Sequence, residues 1–482
     1  MMVEMVIKVL RGLKLLKFST ITTIITISTI STLYAQDSLN VHLLYHWNDT
    51  TIPFSNWVNS RYSDCWGVVQ GGREYAVIGG ADGTHIIDIT DIPNAHQVAY
   101  VPGDVQVTVI HREYKDYHGY LYAVCDEGAS KLQIIDLHHL PDSVSLVYHS
   151  DTIFSRAHDI FIDTLHAKLY ACGGATGNTN NELLVLSLAD PVNPTLLVNC
   201  GQQVSYWDNS IMPIGYIHDI YVRNDTAFCN AGYNGMFVVD FSNTTNPVVL
   251  GSLTSYPYKG YNHSGWLRDT GWVYAMADEN YGYKLKMVDV HDFSNISVID
   301  TFGSGVDSLS IPHNPIFRGN YLYVSYYQDG LYVFNTDNPH HVYIHGFYRN
   351  STIPHGHYGG AWGVYPLLPS GKIIISDMQN GLYIFRVDLP SSGIEEHHYN
   401  NALWVFPSPF SNYFNISYNK KEIGEIAGVD YELIDESGRM VLTGNAAQSF
   451  TRLSTAGLRV GLYMLKLTAG KRIFEKKMIK VN

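Results

Sequence analysis

A four-strand unit recurs along this chain. Its plainest copy runs from Ile217 to Leu250, IHDIYVRNDTAFCNAGYNGMFVVDFSNTTNPVVL. HDIYVR opens on His218 and then alternates, TAFCNAG runs up to a turn at Asn234-Gly235, MFVVDF is apolar, and SNTTNP leads into VVLGSL. A two-residue hairpin turn needs positive φ at both central positions, which Asn-Gly tolerates. A unit this small cannot bury both of its faces alone, so neighbouring copies must cover it.

Copies can be laid over Cys65 to Val101, Val107 to Tyr148, Ala157 to Leu197, Ile217 to Leu253, Asn262 to Ile299, Pro312 to His345 and Ala361 to Val387. The turn dipeptide returns as Asp82-Gly83, Asp329-Gly330 and Asn380-Gly381, and the strands after it read THIIDI, LYVFNT and LYIFRV. A period of roughly fifty residues predicts an all-β fold, a seven-bladed β-propeller. The seventh copy lacks a fourth strand, while VHLLYHW (Val41–Trp47) has no copy of its own. The expectation is that this N-terminal strand completes the last blade and closes the ring, tying the termini together and protecting the edges.

Composition divides the chain further. Residues 1–35 combine Lys8, Arg11, Lys14 and Lys17 with a hydroxyl-rich apolar run ending at Ala35, the pattern of a cleaved signal peptide. A membrane anchor is the alternative, with an apolar run near the minimum length. No other segment suits a membrane-spanning helix, so the mature chain is expected to have none. Residues 36–390 form the propeller, 391–401 a linker, and 402–482 a small β-sandwich built from strands such as YFNISYN, YELIDE and GLYMLKL, with a turn at Glu436-Ser437-Gly438. The formal net charge is −13; residues 1–35 carry +3 and residues 399–482 carry +4, which leaves −20 on the middle. An acidic middle argues against nucleic acid and suits cations or basic partners. Cys65, Cys125, Cys172, Cys200 and Cys229 are odd in number, and three of them fall at equivalent second-strand positions, too far apart to bridge. They read as small buried residues.

All 22 histidines lie between His42 and His398. His158, His218, His263 and His313 open four successive first strands, and these strands line the channel of a propeller. If the strands converge, the imidazoles approach one another. His355 and His357 stand at i, i+2 just before the seventh copy, and in extended chain such a pair points to one side. Asp126-Glu127, Asp278-Glu279, Asp329 and Asp377 end second strands or sit in turns on the same face. One divalent metal ion (zinc, manganese or calcium) is therefore a candidate cofactor, with His158, His218, His263, His313, His355, His357, Asp278 and Glu279 as candidate ligands. The same residues also suit a purely structural role, each His bonding the backbone of the next blade and the carboxylates serving their turns. Trp66, Trp266 and Trp362 recur near first-strand positions and read as wedges between blades, with sugar stacking as the alternative. No nucleophile elbow and no phosphate loop is present, so no catalytic residue is assigned.

Two resemblances extend this reading. VFPSPF, YELIDESGRMV, LSTAGLRVGLYMLKL and KKMIKV resemble the type A C-terminal sorting domain of the Bacteroidetes type IX secretion system, with Ser408 where that family usually has Asn. The resemblance implies the type IX machinery as a partner, passage through the periplasm and outer membrane, and a secreted or cell-surface location. Over residues 40–390, SDCWGVV, GGADGTHIIDITDIPNA, HREYKDYHGYLYAVCDE, AHDIFID, HSGWLRD and GAWGVYPLLPSGKIIISDMQNGLYIF are similar to LVIVD-repeat, choice-of-anchor B secreted proteins. That similarity implies a propeller and little chemistry. The expected function is binding or adhesion to a protein or glycan through the channel-mouth face; the alternative is a metal-dependent hydrolase or lactonase-like enzyme using the His/Asp cluster.

Overall fold

The second and third strands of each repeat are apolar almost without interruption, and they lie in the middle of a four-stranded antiparallel sheet. In the fourth repeat Thr226–Asn230 and Met236–Asp240 are nearly wholly buried, whereas the outer strand Val248–Leu253 alternates between exposed and covered positions. This is the pattern expected of a sheet covered on both faces at its centre and wetted at its rim. The computed structural model describes residues 37–389 apart from 56–58, 106–108, 178, 208–213 and 352, and then 403–406, 410, 412–418, 428–448, 450–469 and 472–480. The proposed signal peptide and linker lie outside the described residues.

The chain divides into two units, Met1–Asp388 and Leu389–Asn482. Among the described residues the first holds seven such sheets in chain order, their first strands at Tyr62–Gln70, Arg112–Tyr117, Asp159–Asp163, Asp219–Arg223, Asn262–Leu267, Pro312–Arg318 and Ala361–Tyr365. Apolar faces of consecutive sheets share buried clusters. Tyr170, Val185, Ile220 and Val239 join the third to the fourth, and Ala275, Met287, Leu322 and Phe334 join the fifth to the sixth. Ile374 and Ile384 of the seventh sheet share a cluster with Ala76, Ile78 and Ile87 of the first. Consecutive twisted sheets packed face to face in this way make a β-propeller.

Val41–Trp47 pairs antiparallel with Gly381–Val387 as the outer strand of the seventh sheet. The outer pairing is bulged in every one of the seven sheets, at Ile86/Ile87, Leu146/Tyr148, Val185/Leu186, Val238/Val239, Met287/Val288 and Val333/Phe334, and at Leu43/Tyr45 of the N-terminal strand. A bulge adds local twist, so the recurrence re-aims each outer strand in the same sense. Ser38–Leu39 adds a short fifth strand to the sixth sheet.

The turns differ from expectation. Asn234, Asp329 and Asn380 do not adopt positive φ; Gly235 (+100°), Gly330 (+89°) and Gly381 (+92°) alone do so. In the sixth and seventh sheets three residues separate the paired Tyr326 and Gly330, and Asp377 and Gly381. Such loops need one left-handed residue at their end, not two in the middle. A side chain at Gly235, Gly330 or Gly381 would also lie 2.5, 2.2 or 2.3 Å from the backbone oxygen of Leu253, Tyr348 or Trp47 in the outer strand.

The five cysteines are buried and unpaired. Among the described residues the second unit has two sheets, one of Leu403–Phe406, Tyr413–Tyr418 and Phe450–Ser454, the other of Val429–Asp435, Met440–Ala446, Gly461–Ala469 and Arg472–Lys480. Both feed one core containing Phe414, Ile416, Leu433, Leu465 and Met478. Phe450–Ser454 is a strand that sequence reading passes over.

Candidate functional site

Six aromatic rings meet where the first strands begin. Centroid distances run 5.2 Å from His111 to His158, 4.2 Å to His218, 4.1 Å to His263, 4.4 Å to His313, 4.4 Å to Trp362, and 5.4 Å from Trp362 back to His111. The four strand-opening histidines therefore converge. His111 belongs with them, and its place before REYKDY was the available signal. Trp362 occupies the equivalent position of the seventh sheet.

Hydrogen bonds sort the ring into two parts. His218 Nδ1 is 3.1 Å from the backbone oxygen of His263, and His313 Nδ1 is 2.7 Å from that of Trp362, each one sheet onward. On the other side His111 Nδ1 is 2.6 Å from Glu127, and His158 Nδ1 is 3.1 Å from Asp126. Burial pulls His111 down, but the bond and charge of Glu127 outweigh it, so its affinity for a proton is raised. Burial, reinforced by neighbouring imidazoles, drives His218 and His263 well below the ordinary range, and burial takes His313 to about 3. The Glu127 contact thus favours the charged form of His111, while burial favours the neutral forms of His218, His263 and His313. Glu279 lies 3.7 Å from His263 Nε2 and accepts a 2.5 Å bond from Tyr327; burial raises it to about 7.

The other predicted residues are committed elsewhere. Asp278 is fully buried against Lys286 (2.6 Å) and also takes bonds from Tyr256 and the Gly260 amide, so it neutralises a lysine. His355 bonds Asp329 at 2.6 Å, and the backbone oxygen of His357 accepts from Gln328. Those two histidines order the connection between the sixth and seventh sheets and make no ring contact with the other four. Asp377 serves its turn, accepting from the Gln379 and Asn380 amides. Of the eight candidate ligands, His218, His263 and Glu279 offer ligand atoms all within 4.8 Å of one another.

Beyond the ring the same strands present Asp64, Glu113, Asp159, Asp219 and Lys115 to a cavity of about 50 Å³. Lys115 Nζ is 3.6 Å from Asp159. Asp64 bonds Glu113, and Asp219 bonds Asp159. Burial raises Asp64, Glu113 and Asp219; burial would lower Lys115, but Asp159, Glu113, Asp64 and Asp219 together hold it up. Gly363 makes room for this layer, since a side chain there would sit 1.9 Å from Asp64. Trp66 packs in the apolar cluster shared by the first and second sheets, which Trp266 also touches, and with Phe161, Tyr221 and Arg223 the two indoles line a second cavity of about 370 Å³ at the other end of the strands.

Residues 404–481 match the family model described as the secretion system C-terminal sorting domain. The protein is exported. This domain marks chains that the type IX system delivers to the cell surface or the extracellular space, and it implies contact with that machinery. No curated protein matches the exported chain. Solved structures similar to it include the β-propeller domain of Cps50 (Swd1) from Myceliophteria thermophila, 12% identical over 65% of this chain and 94% of that one with a TM-score of 0.44, and U3-55K, 7% identical over 72% and 98% with a TM-score of 0.49. Among the described residues no helix is long and apolar enough to cross a membrane.

Proposed function

We propose that the exported chain is an extracellular binding or adhesion module, and that its partner, a protein or a glycan, docks on the face bearing the histidine ring. The observation that carries this reading is a tyrosine rim. Tyr261 packs edge-on against His218 at 5.3 Å and against Tyr233 at 5.1 Å, while Tyr327 touches Tyr358, which touches Tyr281. Tyr233 and Tyr258 are 69% and 73% exposed. Tyrosine offers large contact area, a polar tip and only two side-chain torsions to freeze, which is why it concentrates at recognition surfaces.

The frame proposed for this face is a seven-bladed ring closed by Val41–Trp47, of the LVIVD-repeat, choice-of-anchor B kind, preceded by a signal peptide over residues 1–35. The bulge at Leu43/Tyr45 and the close approach of Gly381 to Trp47 support closure, because the bulge recurs in the other six outer pairings and the glycine approach recurs at Gly83, Gly235 and Gly330. So does Glu74 of the first sheet, which accepts from Ser370 and from Lys372 at 2.9 Å beside the seventh.

Replacing Tyr233, Tyr258 and Tyr281 together by Ser tests the reading on glycan arrays and in pull-downs from the cell's surroundings. Partner binding should fall at least about tenfold, the loss of one good contact or more, with an unchanged melting curve. Full binding by the folded triple variant would overturn it.

A further inference from the structure

The register bonds of the ring have a chemical consequence. A backbone oxygen can only accept, so His218 Nδ1 and His313 Nδ1 must carry the hydrogens in their bonds to His263 and Trp362. Each ring is thereby held in the tautomer whose Nε2 bears a lone pair. An outer hydrogen bond to a backbone carbonyl is how metal-binding histidines are oriented. His263 Nδ1 is buried with no hydrogen-bond partner, on a side chain only 5% exposed, while its Nε2 faces Glu279 at 3.7 Å. Buried polar atoms left unpaired in this way cost free energy unless a water or an ion answers them.

From this geometry we propose that His218, His263 and Glu279 bind one first-row divalent metal ion, zinc foremost, at the mouth of the channel. Their ligand atoms lie within 4.8 Å of one another. Zinc–nitrogen bonds of ~2.1 Å at tetrahedral angles place ligands roughly 3.4 Å apart, so a small inward shift completes the set. Two imidazoles and a carboxylate favour zinc, manganese or iron; calcium wants six or more oxygens, which this set lacks. Three protein ligands leave a position open, and the adjacent tyrosine rim would put a partner's carboxylate or carbonyl beside it. The site borrows its location from the binding-face reading but does not depend on any partner being found.

A rival cluster sets the control. Asp163, His166 and Asp225 are also within ligand reach of one another, but Lys168 is 2.7 Å from Asp225 and already supplies a cation there. The full exported chain is stripped with chelator, and zinc, manganese and calcium are titrated separately by calorimetry. Cobalt(II) then reports coordination through its visible absorption. One zinc per chain is expected, with no calcium uptake and a tetrahedral cobalt spectrum. His218→Ala and His263→Ala should abolish both signals, Glu279→Gln should weaken zinc at least about tenfold, and Asp163→Asn should change neither. If an alanine variant fails to fold, His263→Asn and the cobalt spectrum of Glu279→Gln decide the matter. Absence of zinc uptake, or uptake lost only in Asp163→Asn, would overturn the proposal, whereas loss of partner binding with zinc retained would fault the binding-face reading alone.

Discussion

His218 donates from Nδ1 to the backbone oxygen of His263, 3.1 Å away in the next sheet. That one bond does two things. It pins the relative register of two sheets alongside the Asn230–Tyr274 and Arg223–Arg268 bonds, and it decides which nitrogen of His218 remains available. A structural role and an axial ligand role, which compete when only the sequence is read, are compatible in the same side chain.

His313→Ala removes the equivalent bond to Trp362 and leaves a void at a site only 2% exposed. The expected loss is about 2–4 kcal/mol from the unmade bond and the cavity together. Urea unfolding measures it, and a change below roughly 0.5 kcal/mol, the scale of surface substitutions, would count against a pinning role.

Gly381→Val should loosen the N-terminal strand. The residue sits at φ +92°, and a side chain would lie 2.3 Å from the Trp47 oxygen. Strain of this kind costs of order 1–3 kcal/mol. Hydrogen exchange should show amides of Val41–Trp47 losing protection before those of the fourth sheet.

The contact of Glu74 with Ser370 and Lys372 should fail in acid. Burial acts to raise the Glu74 carboxyl, but the bonds from Ser370 and Lys372 outweigh it and hold the folded value below the ordinary one. A depressed folded value stabilises above the unfolded pKa, about 4.5, and the contribution disappears as pH falls through the folded value. Melting temperature plotted against pH should therefore fall more steeply below that point in the wild type than in Glu74→Gln.

Lys115→Met strips the only lysine from a layer holding Asp64, Glu113, Asp159 and Asp219. Removing one side of a buried charge arrangement costs about 3–5 kcal/mol. Carboxyls whose folded values are raised hold protons that the unfolded chain has released, so stability contributed by those protons falls as pH rises. The variant should melt highest in mild acid; a variant that melts like the wild type at every pH would rule out Lys115 as the neutralising group.

Deleting residues 402–482 should stop export. Fractionation in a host with type IX machinery would find the truncated chain in the periplasm, and its appearance in the medium would contradict the dependence.

How much of this was legible follows from the range of each interaction. The sequence of sheets could be read because apolar runs and turn glycines are local. The sorting tail could be read because its pieces occur in a fixed order at the end of the chain. Asp278 and Glu279 illustrate the limit. They are adjacent in sequence and were assigned alike, yet Asp278 is consumed by Lys286 in its own sheet and Glu279 alone reaches His263. Successive residues on a strand point to opposite faces, so nothing short of knowing what covers each face could separate them. His111 was missed because Arg112 and Glu113 make its strand look like a charged outer one. The two-residue turns were misjudged because Asn-Gly fits both a two-residue hairpin and a three-residue one that uses only the glycine.

Pattern and period specified an all-β chain of repeated four-stranded sheets with histidines at recurring strand starts, and the resemblance of its tail to a sorting domain specified its export. Folding decided which of those histidines touch, which nitrogen each keeps free and which carboxylate answers them. Rings some fifty residues apart in the chain come within contact only where the strands converge on one axis, and the oxygen that fixes a tautomer belongs to a different sheet from the ring it holds.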